Sequence, residues 1–238
     1  MWRKLFGLID VKSSTSNTTS PGTFVLSGYG NVTWGAAKKI AELGGKAITI
    51  SGHNGYVYDP DGVVTDEKIE FLLAMRRSRN ADVRMYADRF GCEFFEGQKP
   101  WGVRGDVYMP CATQNEVGLE EAKLIAESGA KYYLEVANMP TSNEAIEYLK
   151  NAGLIVAPSK AVNAGGVAVS ALEMSQNSQR LGWSAEEVDE KLHAIMKSIH
   201  DSSASAAERY GLGYDLVKGA NISGFEKIAA AMLAQGWY

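Results

Sequence analysis

Cysteine is scarce in this chain: Cys92 and Cys111 are the two among 238 residues. Two thiols cannot build a disulfide framework, and they fit a reducing, cytoplasmic compartment. Histidine is also sparse, with three copies and no Cys/His cluster, which argues against a zinc site. Positive charge is not in excess. Twenty-four Lys and Arg against 28 Asp and Glu leave a formal charge of -4, so no basic surface is available for tight, unspecific nucleic-acid binding. No apolar run reaches the roughly 18 residues of a membrane span. What remains, 45% hydrophobic and 22% charged residues, is a globular composition. A chain of this length buries a core without disulfides or metals, as one large domain or two small ones.

The first residues differ from the rest. Met1 to Asp10 (MWRKLFGLID) is too short and too poor in small residues for a signal peptide. Ser13 to Ser20 (SSTSNTTS), followed by Pro21-Gly22, reads as a flexible linker because it has no apolar surface to bury. Residues 1–22 are therefore expected to be a frayed leader and linker. A docking segment using Trp2, Leu5, Phe6 and Ile9 is the alternative.

From residue 23 onward strands and helices alternate. Thr23 to Ser27 and Lys46 to Ser51 read as strands, as do Cys92 to Phe95, Val107 to Pro110, Tyr132 to Val136 and Leu154 to Ala157. Helices are expected over Thr33 to Leu43 (stopped by Gly44-Gly45), Thr65 to Phe90 and Leu119 to Glu127. Thr141 with Glu144, Ser184 with Glu187 and Ser223 with Glu226 read as capping boxes, each opening a helix. Glu186, Glu187, Asp189 and Glu190 form a solvated helix face. The pattern predicts an α/β fold of Rossmann type. Its sheet is doubly wound and mainly parallel, with helices on both faces and a helical C-terminal tail. Residues 23–238 are expected to form one such domain.

The segment VLSGYGNVTWGAAKK places Gly28-x-Gly30 between the first strand and the first helix. Gly28 permits a tight turn, Gly30 lets the backbone approach a pyrophosphate, and Thr33 allows the helix to pack closely on the strand. The helix N-terminus then offers N–H groups to the phosphates. At the end of the second strand an acid would select NAD. Here Ser51-Gly52-His53-Asn54 carries no carboxylate and no Arg or Lys, so the residues leave NAD and NADP both open. His53, when protonated, is the one cation of that segment.

Four segments, SGYGNVTWGAAKK, PCATQNE (Pro110 to Glu116), EVANMPT (Glu135 to Thr141) and APSKAVNAGGVAVSALEMSQN (Ala157 to Asn177), resemble the cofactor-binding half of glutamate dehydrogenases of the bacterial hexameric type. The tail from His200 fits as well. The resemblance implies reversible oxidative deamination of L-glutamate to 2-oxoglutarate and ammonium, with NAD or NADP as hydride acceptor. It also implies residue roles. Gly28, Gly30, Asn31 and Val32 match the pyrophosphate turn, and Ser51, Gly52 and His53 the ribose edge. Ala112, Thr113 and Gln114 match the loop beside the riboses. Ala137 and Asn138 match the segment near the nicotinamide ribose, and Asn163 the residue holding the nicotinamide amide. Val167 and Ser170 match positions touching the glutamate side chain. A leucine or phenylalanine dehydrogenase would want an apolar wall where Ser170 stands.

The resemblance also implies a preceding substrate domain with the carboxylate-clamping lysines, a catalytic lysine and a proton-shuttling aspartate. Met1 to Gly22 has no such segment, and Lys12 sits in polar linker. No catalytic residue is therefore assigned. Proton transfer and electrostatic preorganisation would have to come from a complementing domain. The expectation is NAD(P) binding, with glutamate or 2-oxoglutarate engaged only alongside such a domain. A non-catalytic NAD(P)-binding module or a truncated fragment is the alternative. The C-terminal helices are expected to expose apolar surface that favours self-association.

Overall fold

The computed structural model describes residues 22–78 and 82–236. The leader Met1 to Asp10 and the run Ser13 to Ser20 lie outside the described residues. The described part falls into two compact units, one up to Leu154 and one from Ile155.

In the first unit, β1 (Thr23–Leu26) is an apolar run with Phe24, Val25 and Leu26 all buried. It leads through Gly28 into α1 (Asn31–Glu42), which buries Thr33, Ala36, Ala37 and Ile40, the spacing of one helix face. The chain returns as β2 (Lys46–Ala47), parallel to β1 with Phe24 opposite Ala47. Later, β6 (Val107–Met109) pairs parallel on the other side of β1, with Val25 opposite Tyr108. Next, β7 (Tyr132–Leu134) pairs parallel with β6. Across this unit the order is β2-β1-β6-β7. The chain winds outward from β1 in both directions, so the crevice between β1 and β6 is the topological switch point. In open α/β sheets that crevice, at the carboxyl ends of the strands, is where ligands bind. Between β6 and β7 runs α4 (Leu119–Glu127), packed on α5 (Asn143–Asn151).

Three expectations for this unit are corrected. Lys46 to Ser51 is not one strand. After Ala47 the Thr49 hydroxyl donates to the Leu26 carbonyl and accepts from the Leu26 N–H, both at 2.8 Å, in place of a backbone ladder. β3 (Thr49–Ser51) then turns into an antiparallel sheet with β4 (Gly55–Tyr58) and β5 (Glu93–Glu96). The helix over Thr65 to Phe90 is two: α2 (Asp66–Arg77) and α3 (Arg84–Phe90). α2 stops at Ser78, whose backbone is extended, and just before α3 the Asp82 carboxylate accepts from Arg84 N–H at 2.9 Å, a local bond that competes with helix. The cap of α5 is Ser142, which accepts from Ala145 N–H, whereas the Thr141 hydroxyl is hydrogen-bonded to the buried Tyr133 hydroxyl at 2.7 Å.

Just after β4 lies a buried polar knot that takes side chains from α2 and α3. Asp59 is 2% exposed and its Oδ2 accepts from Lys68 Nζ and Tyr86 Oη, each at 2.6 Å. Burial and this carboxylate push the Tyr86 hydroxyl far above its ordinary pKa.

The second unit opens with β8 (Ile155–Ala157) and continues in helices: α6 (Ser159–Val162), α7 (Ala164–Gln179), α8 (Ala185–Arg209) and α9 (Leu216–Gln235). The expected capping box at Ser184 and Glu187 opens α8, and the acidic face at Glu186, Glu187, Asp189 and Glu190 is exposed. The expected box at Ser223 is corrected. α9 begins at Leu216 under an Asp215 cap, and Glu226 instead takes Arg209 in a two-pronged ion pair at 2.6 and 2.8 Å. α8 and α9 pack closely: a β-carbon on Gly219 would lie 2.0 Å from the Ser203 carbonyl oxygen. No described helix is long and apolar enough to cross a membrane.

Candidate functional site

At the switch point of the first unit lies a cleft of about 500 Å³. Its walls come from three turns: Gly28-Tyr29-Gly30 after β1, Ser51-Gly52-His53 after β3, and Cys111-Ala112-Thr113 after β6. Seven of the sequence-predicted residues, Gly28, Gly30, Ser51, Gly52, His53, Ala112 and Thr113, thus line one cleft.

The two glycines of the turn answer different demands. Gly28 has φ +79°, and a β-carbon there would lie 2.7 Å from Thr33 Oγ1 and 3.3 Å from Ala112 Cα. The protein itself requires this glycine. Gly30 has φ -77°, which suits any residue, and a β-carbon there would meet nothing within 4 Å. Its own chain makes no demand for glycine. Gly30 lines the cleft, and the space beside it is open. The turn is braced from below. Ser51 Oγ accepts from Gly28 N–H at 2.8 Å, and the Thr33 hydroxyl donates to the Ser27 carbonyl at 2.9 Å.

The cleft also attracts anions. Gly30 caps α1 with no side-chain hydrogen bond, and the first turn has no acid, so its N–H groups and positive dipole end face outward. Arg76 and Lys99 line the cleft, with no carboxylate among the lining residues. The Arg76 guanidinium donates to Asn31 Oδ1, and Lys99 Nζ is 3.4 Å from the Gly52 carbonyl oxygen. Among the described residues neither cation pairs with a carboxylate. Local reading of Ser51 to Asn54 shows no Lys or Arg, yet the fold brings both to that edge. They come from α2 and from the loop after β5, distant segments that no motif links to the glycine turn.

The remaining predicted residues stand elsewhere. Asn31 and Val32 open α1 and are exposed at its first turn. Gln114 is exposed in the loop after β6. Ala137 follows β7, with its N–H on the Pro110 carbonyl at 2.9 Å, and Asn138 is exposed beside it. None of these five lines the cleft. The loops after β6 and β7 are stitched together. Asn115 N–H donates to the Met139 carbonyl at 3.0 Å and Val117 N–H to that of Pro140 at 2.9 Å. In the second unit Asn163 sits half-buried between α6 and α7. Val167 is 72% exposed, and the exposed Ser170 hydroxyl donates to the Gly166 carbonyl of its own helix at 3.3 Å. Among the described residues no group of three His, Cys, Asp or Glu could hold a metal.

Residues 10–236 match the model of the glutamate/leucine/phenylalanine/valine dehydrogenase family. The chain belongs to that family. It is 62% identical over 227 residues to a NAD-specific glutamate dehydrogenase of Clostridium symbiosum, covering 95% of this chain and 50% of the relative. An NADP-specific glutamate dehydrogenase of Haemophilus influenzae is 48% identical, covering 90% and 47%. A crystal structure of Plasmodium falciparum glutamate dehydrogenase superposes with a TM-score of 0.86 at 43% identity, over 91% of this chain and 47% of that one. The likeness confirms a Rossmann-like fold for this member of the dehydrogenase family. The chain spans about half the length of the curated relatives it matches.

Proposed function

We propose that this chain is the NAD(P)-binding part of a glutamate dehydrogenase. The observation that carries this reading is Gly30. It is a glycine the protein does not need, standing at the mouth of an anion-attracting cleft at the switch point of a parallel sheet. A dinucleotide fits the residues present. Gly30 and the first turn of α1, with Asn31 and Val32, would receive the pyrophosphate. Ser51, Gly52 and His53 would face the adenosine ribose, flanked by Lys99 and Arg76. Ala112, Thr113 and Gln114 would border the riboses, Ala137 and Asn138 the nicotinamide ribose, and Asn163 the nicotinamide amide. When bound, the nicotinamide supplies the hydride acceptor for the α-carbon of glutamate.

In the same reading Val167 and Ser170 would meet the glutamate side chain. The described residues offer no lysine–aspartate pair aimed into the cleft to polarise a carbonyl or move a proton, so turnover needs groups supplied by a complementing substrate domain. The two unpaired cysteines fit a cytoplasmic setting.

Titration of the chain with NADH and NADPH, read by nicotinamide fluorescence alongside an assay of glutamate oxidation, tests this. Binding without turnover is the expected result. Gly30→Val should abolish binding while leaving the unfolding midpoint in place. Unchanged affinity in that variant would sink the pyrophosphate assignment.

A further inference from the structure

We infer that Glu116 is a positioning residue of the cofactor cleft, fastening the wall after β6 to the end of β1. The inference rests on the cofactor reading above. The backbone ladder between these strands runs out in a long bond, Ser27 N–H to the Met109 carbonyl at 3.4 Å. Beyond it the two chain ends diverge to form the crevice, and side chains take over. One oxygen of Glu116, Oε1, accepts from the Ser27 hydroxyl at 2.8 Å, from Ala112 N–H at 3.1 Å and from Thr113 N–H at 3.4 Å. Ser27 Oγ in turn accepts from Cys111 N–H at 2.9 Å. Ser27 is fully buried and immediately precedes Gly28. A single oxygen therefore ties three consecutive residues of one wall, two directly and one through Ser27, to the base of the other.

Two consequences follow. Ala112 and Thr113 spend their N–H groups inward, so this wall faces a ligand with side chains and carbonyl oxygens. The wall also cannot lift without breaking every bond to Oε1. The arrangement costs burial of a carboxyl whose second oxygen, Oε2, has no exposure and no partner among the described residues. Burial pushes the Glu116 carboxyl above its ordinary pKa, against the bonds from Ser27, Ala112 and Thr113 and the nearby Lys99. A group held at that cost for packing alone would be replaced by an apolar residue with little loss.

The test uses the whole chain and three variants. Glu116→Gln keeps an oxygen acceptor, Glu116→Leu removes it, and Ser27→Ala removes one donor. Amide hydrogen exchange reads the fastening itself, and NADH titration reads its effect on the cleft. Glu116→Leu should raise exchange at Ala112 and Thr113 and weaken NADH about 10-fold or more, the size expected for lost bonds to a buried carboxyl. Glu116→Gln should restore both readouts to within about 2-fold, since a neutral acceptor still serves the same donors. Ser27→Ala should add little to exchange at Ala112 and Thr113 on top of Glu116→Leu, because neither N–H bonds to Ser27, while Cys111 N–H loses its acceptor and exchanges faster. A Glu116→Leu chain that binds like the wild type, or a Glu116→Gln chain as weak as Glu116→Leu, overturns the assignment. A wild type that binds no dinucleotide overturns the cofactor reading and this role with it, and the exchange data then still say whether the fastening exists.

Discussion

The two units bury their apolar residues very differently. In the first, α1, α4 and α5 each turn a face inward, and Ile40, Ile125 and Leu149 are fully buried. In the second, α7 buries no residue, and α9 buries Leu216 and Gly219. Phe225 and Leu233 on α9 are 68% and 86% exposed, and Met174 on α7 is 73% exposed. The first unit leaves fewer large apolar side chains exposed, chiefly Val32, Leu124 and Met139. The second carries apolar surface in excess of what α8 and α9 cover in each other, the condition under which a helical surface gains by association.

Four measurements sharpen or break that contrast. The largest effect is expected at the buried ion pair of the first unit. Asp59→Ala strands Lys68 and Tyr86 and should cost about 3–5 kcal/mol in urea unfolding. Its counterpart in the second unit, Arg209→Ala, removes an exposed pair with Glu226 and should leave the unfolding midpoint unmoved. Next, Leu149→Ala should cost about 2–5 kcal/mol by opening a cavity, whereas Leu233→Ala should change stability by less than about 0.5 kcal/mol. Equal costs at the two leucines would show that α9 is covered in solution. Third, Leu233→Lys should reduce any self-association seen by light scattering and leave folding intact.

The smallest effect concerns the thiols, both of which lie in the first unit. Burial, then the Asp59 charge, pushes Cys92 up to about 11. The unfolded thiol ionises at its ordinary, lower pH. The stability linked to Cys92 is therefore complete below the unfolded pKa and is lost as pH rises through the range up to about 11. Cys92→Ser should flatten that alkaline loss. A thiol reagent at pH 8 should label native Cys92 and Cys111 slowly, and fast labelling would show that the first unit opens.

The alternation of elements, the glycine turn and the boundaries of α4 were legible because each rests on local chemistry. The hairpin at Gly52 to Gly55 was legible in principle. Gly52 N–H closes on the Gly55 carbonyl at 2.8 Å, leaving the polar pair His53-Asn54 at the turn, and a β-carbon at Gly55 would lie 2.2 Å from the Phe95 carbonyl oxygen. The apolar run Lys46 to Ser51 hid it by reading as one strand. Ser223 and Glu226 show the opposite failure. A capping spacing recurred inside a helix because Glu226 serves Arg209 instead. Arg76, Lys99 and Glu116 were not legible as site residues. Their roles depend on which strand ends the sheet brings together, and no local pattern encodes that.

The division of labour between Gly28 and Gly30 has a consequence for descent. Selection for folding alone holds Gly28 and is blind to Gly30. Under the proposed function, a lineage that stopped using a dinucleotide would keep the first glycine and let the second drift to alanine, serine or larger residues. The pair is thus a record, readable in any descendant genome, of whether the fold outlived its ligand.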